Sequence, residues 1–205
     1  EPYCGLPQSV YCDVNIASRG NTYHREDLIT GKYNNVYFVQ SDLNVSSKNT
    51  GSEQRRTFTH FSGRWIVIDY PKKFSGTVIV KDKDFVGISR DDLEVITLEN
   101  LTFNEMFTVS TNDVQLGYYI LTPQLVERFM ELKQSSKGAI IACFKDGMLH
   151  IGIHNRENAF ELDVNNLDIA KDTESFAKDF SLVSKTIDIL EVNNGFYAQS
   201  KTQPS

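Results

Sequence analysis

The groups in this sequence best suited to move a proton are His24, Glu26 and Asp27 in the run YHREDL, and His60 in FTHFSG. Histidine beside carboxylates is material for general acid–base hydrolysis, because imidazole titrates near neutrality and a carboxylate can fix its tautomer. These four residues flank a polar connector, and their convergence on folding would make a hydrolase site of non-standard pattern. His150 and His154 have a metal-like i, i+4 spacing, but they lie along an expected strand, where that spacing separates them by about 13 Å. One ion does not bridge such a gap, so no metal site is expected. Cys143 sits in the apolar run IIACF, where burial blunts a thiol, and is expected to be a core residue. No glycine pattern cradles phosphates and no GxSxG elbow is present, so no cofactor is expected and no catalytic residue stands out.

A second group of residues is suited to contact rather than chemistry. Arg55, Arg56 and Arg64 lie close to Lys72 and Lys73, while Tyr33, Tyr37, Phe38, Phe58, Phe61, Trp65 and Tyr70 crowd the same region. One sheet face does not comfortably bury so many rings. A groove or surface patch including Tyr33, Tyr37, Arg55, Arg56, Arg64 and Trp65 is therefore expected to receive a protein or peptide partner. The basic residues also suit contact with anionic headgroups or, more simply, an edge strand that must discourage aggregation, and core packing accounts for most of the rings.

The elements that position these groups follow from periodicity and turn chemistry. Leu6 to Ile16 reads as a short amphipathic helix, with Pro7 in its first turn. HREDLITGKYNN reads as a polar connector, and VYFVQSDL as a strand. SSKNTGSEQ is expected to be a mobile loop. RRTFTHF and RWIVIDY read as two strands joined across Ser62-Gly63, and GTVIVKD continues the meander. SRDDLE reads as a short helical turn and VQLGYYIL as a strand. Thr122 then caps a helix with Pro123 at its first position, and Gly138 stops it. Asp146-Gly147 turns a hairpin between AIIACFK and MLHIGI. Phe176, Phe180, Val183, Ile187 and Leu190 step along one stripe of a long C-terminal helix.

The expected fold class is α+β: a twisted antiparallel sheet packed with one medium and one long C-terminal helix, partly closed or PH-like. Residues 1–195 are expected to form a single domain with subregions 1–84 and 92–195, followed by a flexible tail at 196–205. The chain has 205 residues, 40% of them hydrophobic, enough for a real core. A net charge of −6 excludes a general nucleic-acid surface, which needs clustered cations. There is no apolar run long enough to span a bilayer, and no signal-peptide core. Three dispersed cysteines suit a reducing, cytoplasmic setting, with a Cys4–Cys12 bridge left open.

The ordered string Glu99, Phe103, Phe107, Tyr119-Ile120-Leu121-Thr122-Pro123, Glu127, Phe144, Ile151 and Phe160-Glu161 resembles a bacterial domain-of-unknown-function family, number 3137. The runs REDLITGKYNNVYFVQSDL, FSGRW and KKFSGTVIV resemble that family's N-terminal portion, so the likeness extends from about Leu6 to Leu190. It implies a parent protein held at the cytoplasmic face of a membrane by hydrophobic segments ahead of this region. It brings no catalytic residues. The leading expectation is a non-catalytic interaction or ligand-sensing module; the alternatives are the hydrolase above and an assembly domain that pairs through a sheet edge.

Overall fold

A computed structural model describes residues 4–49, 56–70, 72–157 and 181–190. In chain order they form α1 (Gln8–Val14), β1 (Thr22–Tyr33), β2 (Val36–Asn49), β3 (Arg56–Asp69), β4 (Thr77–Asp82), β5 (Glu94–Ile96), α2 (Leu101–Met106), β6 (Phe107–Thr111), α3 (Val114–Ile120), α4 (Pro123–Ser135), β7 (Ala139–Lys145) and β8 (Met148–His154). A helical segment, α5, covers residues 181–189. The strands make one sheet in the order β1-β2-β3-β8-β7-β4-β6-β5, and every described pair is antiparallel. The fold is α+β, as the sequence implies. The sheet is open, with β1 and β5 at its edges, rather than closed or PH-like.

Alternation along the strands divides the side chains between two cores. Ile66, Ile68, Val78, Val80 and Ile151 point to the face covered by α2, α3, α4 and α5, meeting Phe103, Ile120, Phe129 and Ile187. Trp65, Val67, Ile79, Ile141 and Cys143 point to the other face, covered by Tyr11 and Val14 of α1 and by Phe85. Odd and even positions of one strand thus serve different cores, as the two-residue period requires.

Local signals place several elements as expected. The Thr122 hydroxyl accepts from the Leu125 amide at 3.3 Å, and Pro123 opens α4. Leu125, Phe129 and Leu132 face the core. Asp146 and Gly147 both take positive φ, 52° and 74°, the twist that a two-residue hairpin needs. Asn34 and Asn35 do the same between β1 and β2, at 47° and 66°.

Other expectations are corrected. The supposed connector HREDLITGKYNN is mostly β1, an edge strand whose polar side chains leave no apolar alternation to read. VQLGYYIL is not a strand. It forms α3, because Asp113 caps it by accepting from the Leu116 amide at 3.1 Å, while Leu116, Gly117 and Ile120 are buried on one side. RRTFTHF and RWIVIDY are one continuous strand, β3. Gly63 serves close approach there rather than a turn: at φ 142° an added Cβ would stand 2.2 Å from the Ile153 carbonyl oxygen.

β4 does not extend the meander beside β3; it pairs with β7 and β6. Ser46 to Asn49 belong to β2 rather than to a loop. SRDDLE is a turn closed by the Leu93 amide on the Arg90 carbonyl, not a helical one. α4 ends at Ser135, before Gly138, which begins the approach to β7. Phe176, Phe180 and the tail 196–205 lie outside the described residues.

A polar trough and the cavity behind it

β8 covers β3 only from Gly63 to Asp69, whereas β2 pairs with β3 all the way to Arg56. The far halves of β1, β2 and β3 therefore run on past the rest of the sheet. On the helix side of this extension the alternation turns polar. His24 and Glu26 of β1, Asn44 and Lys48 of β2, and Thr57 and Thr59 of β3 line an open trough of about 520 Å³, bounded by Arg156 and Glu157.

The trough ends at Asp42. Asp42 and Arg64 are cross-strand partners, and Arg64 Nε donates to Asp42 Oδ1 at 2.8 Å with both side chains almost fully buried. Behind them, a smaller cavity of about 200 Å³ opens between the end of α4 and the helical turn carrying Lys185 and Thr186. Asp42 and Glu157 border both spaces. Gln40, two residues before Asp42 on the same face, is buried, and neither side-chain polar atom has a hydrogen-bond partner.

The proposed acid–base group does not come together. His24 and Glu26 share the trough, since residues two apart in a strand share a face. Asp27 lies in the β1 irregularity between Glu26 and Ile29, with φ 54°. His60 points to the opposite face, where its Nε2 is 2.7 Å from Ser47 Oγ. The register of β2 against β3 shifts between Val45 and Ser46, and that shift turns His60 away from His24.

The proposed surface patch is also dispersed. Arg64 and Trp65 are buried, on opposite faces of the sheet. The Trp65 ring packs edge-on against Tyr11 and Phe61. Arg56 is exposed at the start of β3, and Arg55 lies outside the described residues. Tyr37 is exposed beneath Lys32 Nζ. Tyr33 donates to Asp188 Oδ2 at 2.8 Å, and that carboxylate raises its phenol pKa. Lys72 is buried, donates to the Tyr119 carbonyl and lies over the Tyr119 ring.

The remaining titratable candidates are neutral core groups. Cys143 and His150 are cross-strand partners on β7 and β8. Burial pushes the thiol up to about 12 and the imidazole down to about 4. A thiolate–imidazolium pair needs the opposite shifts. No disulfide joins Cys4, Cys12 and Cys143. No group of three or more His, Cys, Asp or Glu could hold a metal among the described residues.

Sequence reasoning passed over Asp42, Lys48, Arg156, Ser136 and Lys185. Asp42 had a readable signal. Val36, Phe38, Gln40 and Asp42 occupy alternate positions of one strand, so a buried face that turns polar is visible in VYFVQSDL.

The family model described as a protein of unknown function (DUF3137) matches residues 59–192. No curated protein matches the sequence. Among solved structures, the crystal structure of the mycobacterial trehalose monomycolate transport factor A, TtfA, is similar with a TM-score of 0.46 and 9% identity, over 84% of this chain and 75% of that one. Similarity of that degree says nothing of shared function.

Proposed function

The chain belongs to the DUF3137 family of proteins of unknown function, and from that premise we propose that it is a non-catalytic module binding a protein or peptide partner along the β1–β3 trough. The observation that carries this reading is the overrun of β3. From Thr57 to Phe61 the side of β3 facing away from β2 has no neighbouring strand among the described residues. Unpaired strand edges recruit extended segments through main-chain hydrogen bonds, with side chains beside the edge setting specificity. Lys48, Arg156, Glu26 and Glu157, of mixed sign, supply that specificity here. The separation of His24 from His60 favours binding over hydrolysis, since a general base must lie within hydrogen-bond reach of the group it activates.

The partner is tested with a photo-crosslinking residue at Thr59 or Asn44 of the full-length protein in its own cells, against a control at exposed Val86. A discrete adduct from the two trough positions, lost when Thr57→Pro blocks the strand edge, is expected. No adduct from either position sinks the reading. Turnover of an ester or amide substrate that disappears in His24→Ala restores the hydrolase instead.

The resemblance noted above supports placing the module at the cytoplasmic face of a membrane through an anchor elsewhere in the parent protein. No helix of the described residues is long and apolar enough to cross a membrane. Release of the full-length protein into the soluble fraction without detergent would count against the anchor.

A further inference from the structure

We propose that the cavity behind Asp42 and Arg64 is a site for a phosphate-bearing small ligand, distinct from the partner trough. It is lined by buried as well as surface polar groups: Asp42 and Arg64 are each 5% exposed, and Thr186 is fully buried. The ion pair is costly to enclose, since desolvation can exceed its Coulombic gain, whereas the Thr186 hydroxyl is satisfied by the Leu182 carbonyl at 2.8 Å.

The charges select an anion. Asp42 is already matched by Arg64. Glu157 accepts from Asn155 Nδ2 at 3.1 Å, a neutral donor. Lys137 and Lys185 at the rim have no ion-pair partner among the described residues. Two unmatched ammonium groups therefore face one carboxylate.

A donor is also waiting. Ser136 lines the cavity, and its buried Oγ has no hydrogen-bond partner. The end of α4 does not compete for it. The Leu132 carbonyl already accepts from the Ser136 amide at 2.9 Å and from Ser135 Oγ at 3.1 Å. A phosphate oxygen between Lys137, Lys185 and Ser136 would satisfy the hydroxyl and both cations at once. The volume of about 200 Å³ suits a phosphate with a small organic group rather than a nucleotide.

The test is isothermal titration of the intact chain with inorganic phosphate, against chloride at matched ionic strength, and separately with short-chain phosphatidic acid below its micellar concentration. Saturable phosphate binding is expected, weakened about tenfold or more in Lys137→Ala/Lys185→Ala and several-fold in Ser136→Ala. Both lysines are exposed, so the double variant keeps the fold. Tighter binding of phosphatidic acid than of inorganic phosphate assigns the phosphate to a lipid headgroup; equal or weaker binding assigns it to a soluble compound. Heats no different from chloride with both probes, or an unchanged Kd in the double variant, overturn the proposal. Crosslinking at Thr59 does not depend on these residues, so either reading can fail alone.

Discussion

Lys133, in the last turn of α4, reaches the buried carboxylate of Asp82 at the end of β4, Nζ to Oδ2 at 2.5 Å. Asp82 also accepts from the Asp84 amide at 2.9 Å and the Ile140 amide at 3.3 Å. One side chain thus fastens a helix, its own strand and the start of β7. Removing the cation strands a buried charge, so Lys133→Met is expected to cost about 3 kcal/mol in urea unfolding. Burial opposes the Lys133 charge, but Asp82 and Asp84 outweigh it and raise its pKa above 10.5. A raised lysine pKa stabilises fully below the unfolded value and fades as pH climbs through the folded one. Wild type should therefore lose stability above pH 10.5 more steeply than Lys133→Met does.

Acid should act through His150. Burial depresses its pKa from 6.5 to about 4; Lys145 lowers it further, while Asp13 and Asp146 pull the other way. The folded chain then binds this proton later than the unfolded chain. Its contribution is complete above pH 6.5 and drains as pH falls towards 4, at about 1.4 kcal/mol per pH unit and about 3 kcal/mol in all. His154, lowered by burial and by Arg156, shifts in the same direction. Chemical denaturation at pH 7 and pH 4.5 should show a smaller difference in His150→Leu than in wild type. An equal difference would remove His150 as the source.

Gly152 sits opposite Trp65 on the β3–β8 pair, where an added Cβ would stand 2.9 Å from the Trp65 ring and 3.0 Å from Phe61. Gly152→Ala should overpack this aromatic core, at about 1–3 kcal/mol. Trp65 is the only tryptophan of the chain, so its emission should report the disturbance directly. Unchanged emission and stability would show that the rings give way freely.

The cysteines should label in a fixed order. Cys4 is exposed, Cys12 half-buried and Cys143 buried, with its thiol pushed up to about 12. A maleimide at pH 7 should modify Cys4 within minutes and Cys143 only on global unfolding. Mass spectrometry of the native protein showing rapid modification at Cys143 would contradict the described packing.

What could be read in advance was what the chain encodes locally. Thr122-Pro123 and Asp146-Gly147 combine side-chain and backbone requirements within two residues, so their meaning needs no neighbours. β1 was invisible because an edge strand has one partner and little apolar surface to bury. Asp113 was missed as a cap because the following VQLGYYIL is rich in residues that strands also favour. The trough shows the same division. His24 and Glu26 share a face by simple alternation, but the irregularity that separates them from His60 depends on the pairing of β2 with β3. The Asp42–Arg64 contact bridges two strands and needs their register.

The sheet order carries a consequence for synthesis. β3 finds its second neighbour in β8, and β4, already beside β6, finds its second in β7, so the centre of the sheet is sealed by strands near the end of the described order. While the ribosome is still making α4, β3 is paired only with β2 and β4 only with β6, so Ile66 and Ile68 on one strand and Val78 and Val80 on the other each lie beside one open edge. That interval exposes β-branched residues along two unpaired edges, the condition under which nascent chains associate with one another. A chain arrested before β7 should therefore aggregate or hold a chaperone. Release past His154 should end both, because the β7–β8 hairpin supplies the missing neighbour of each strand together.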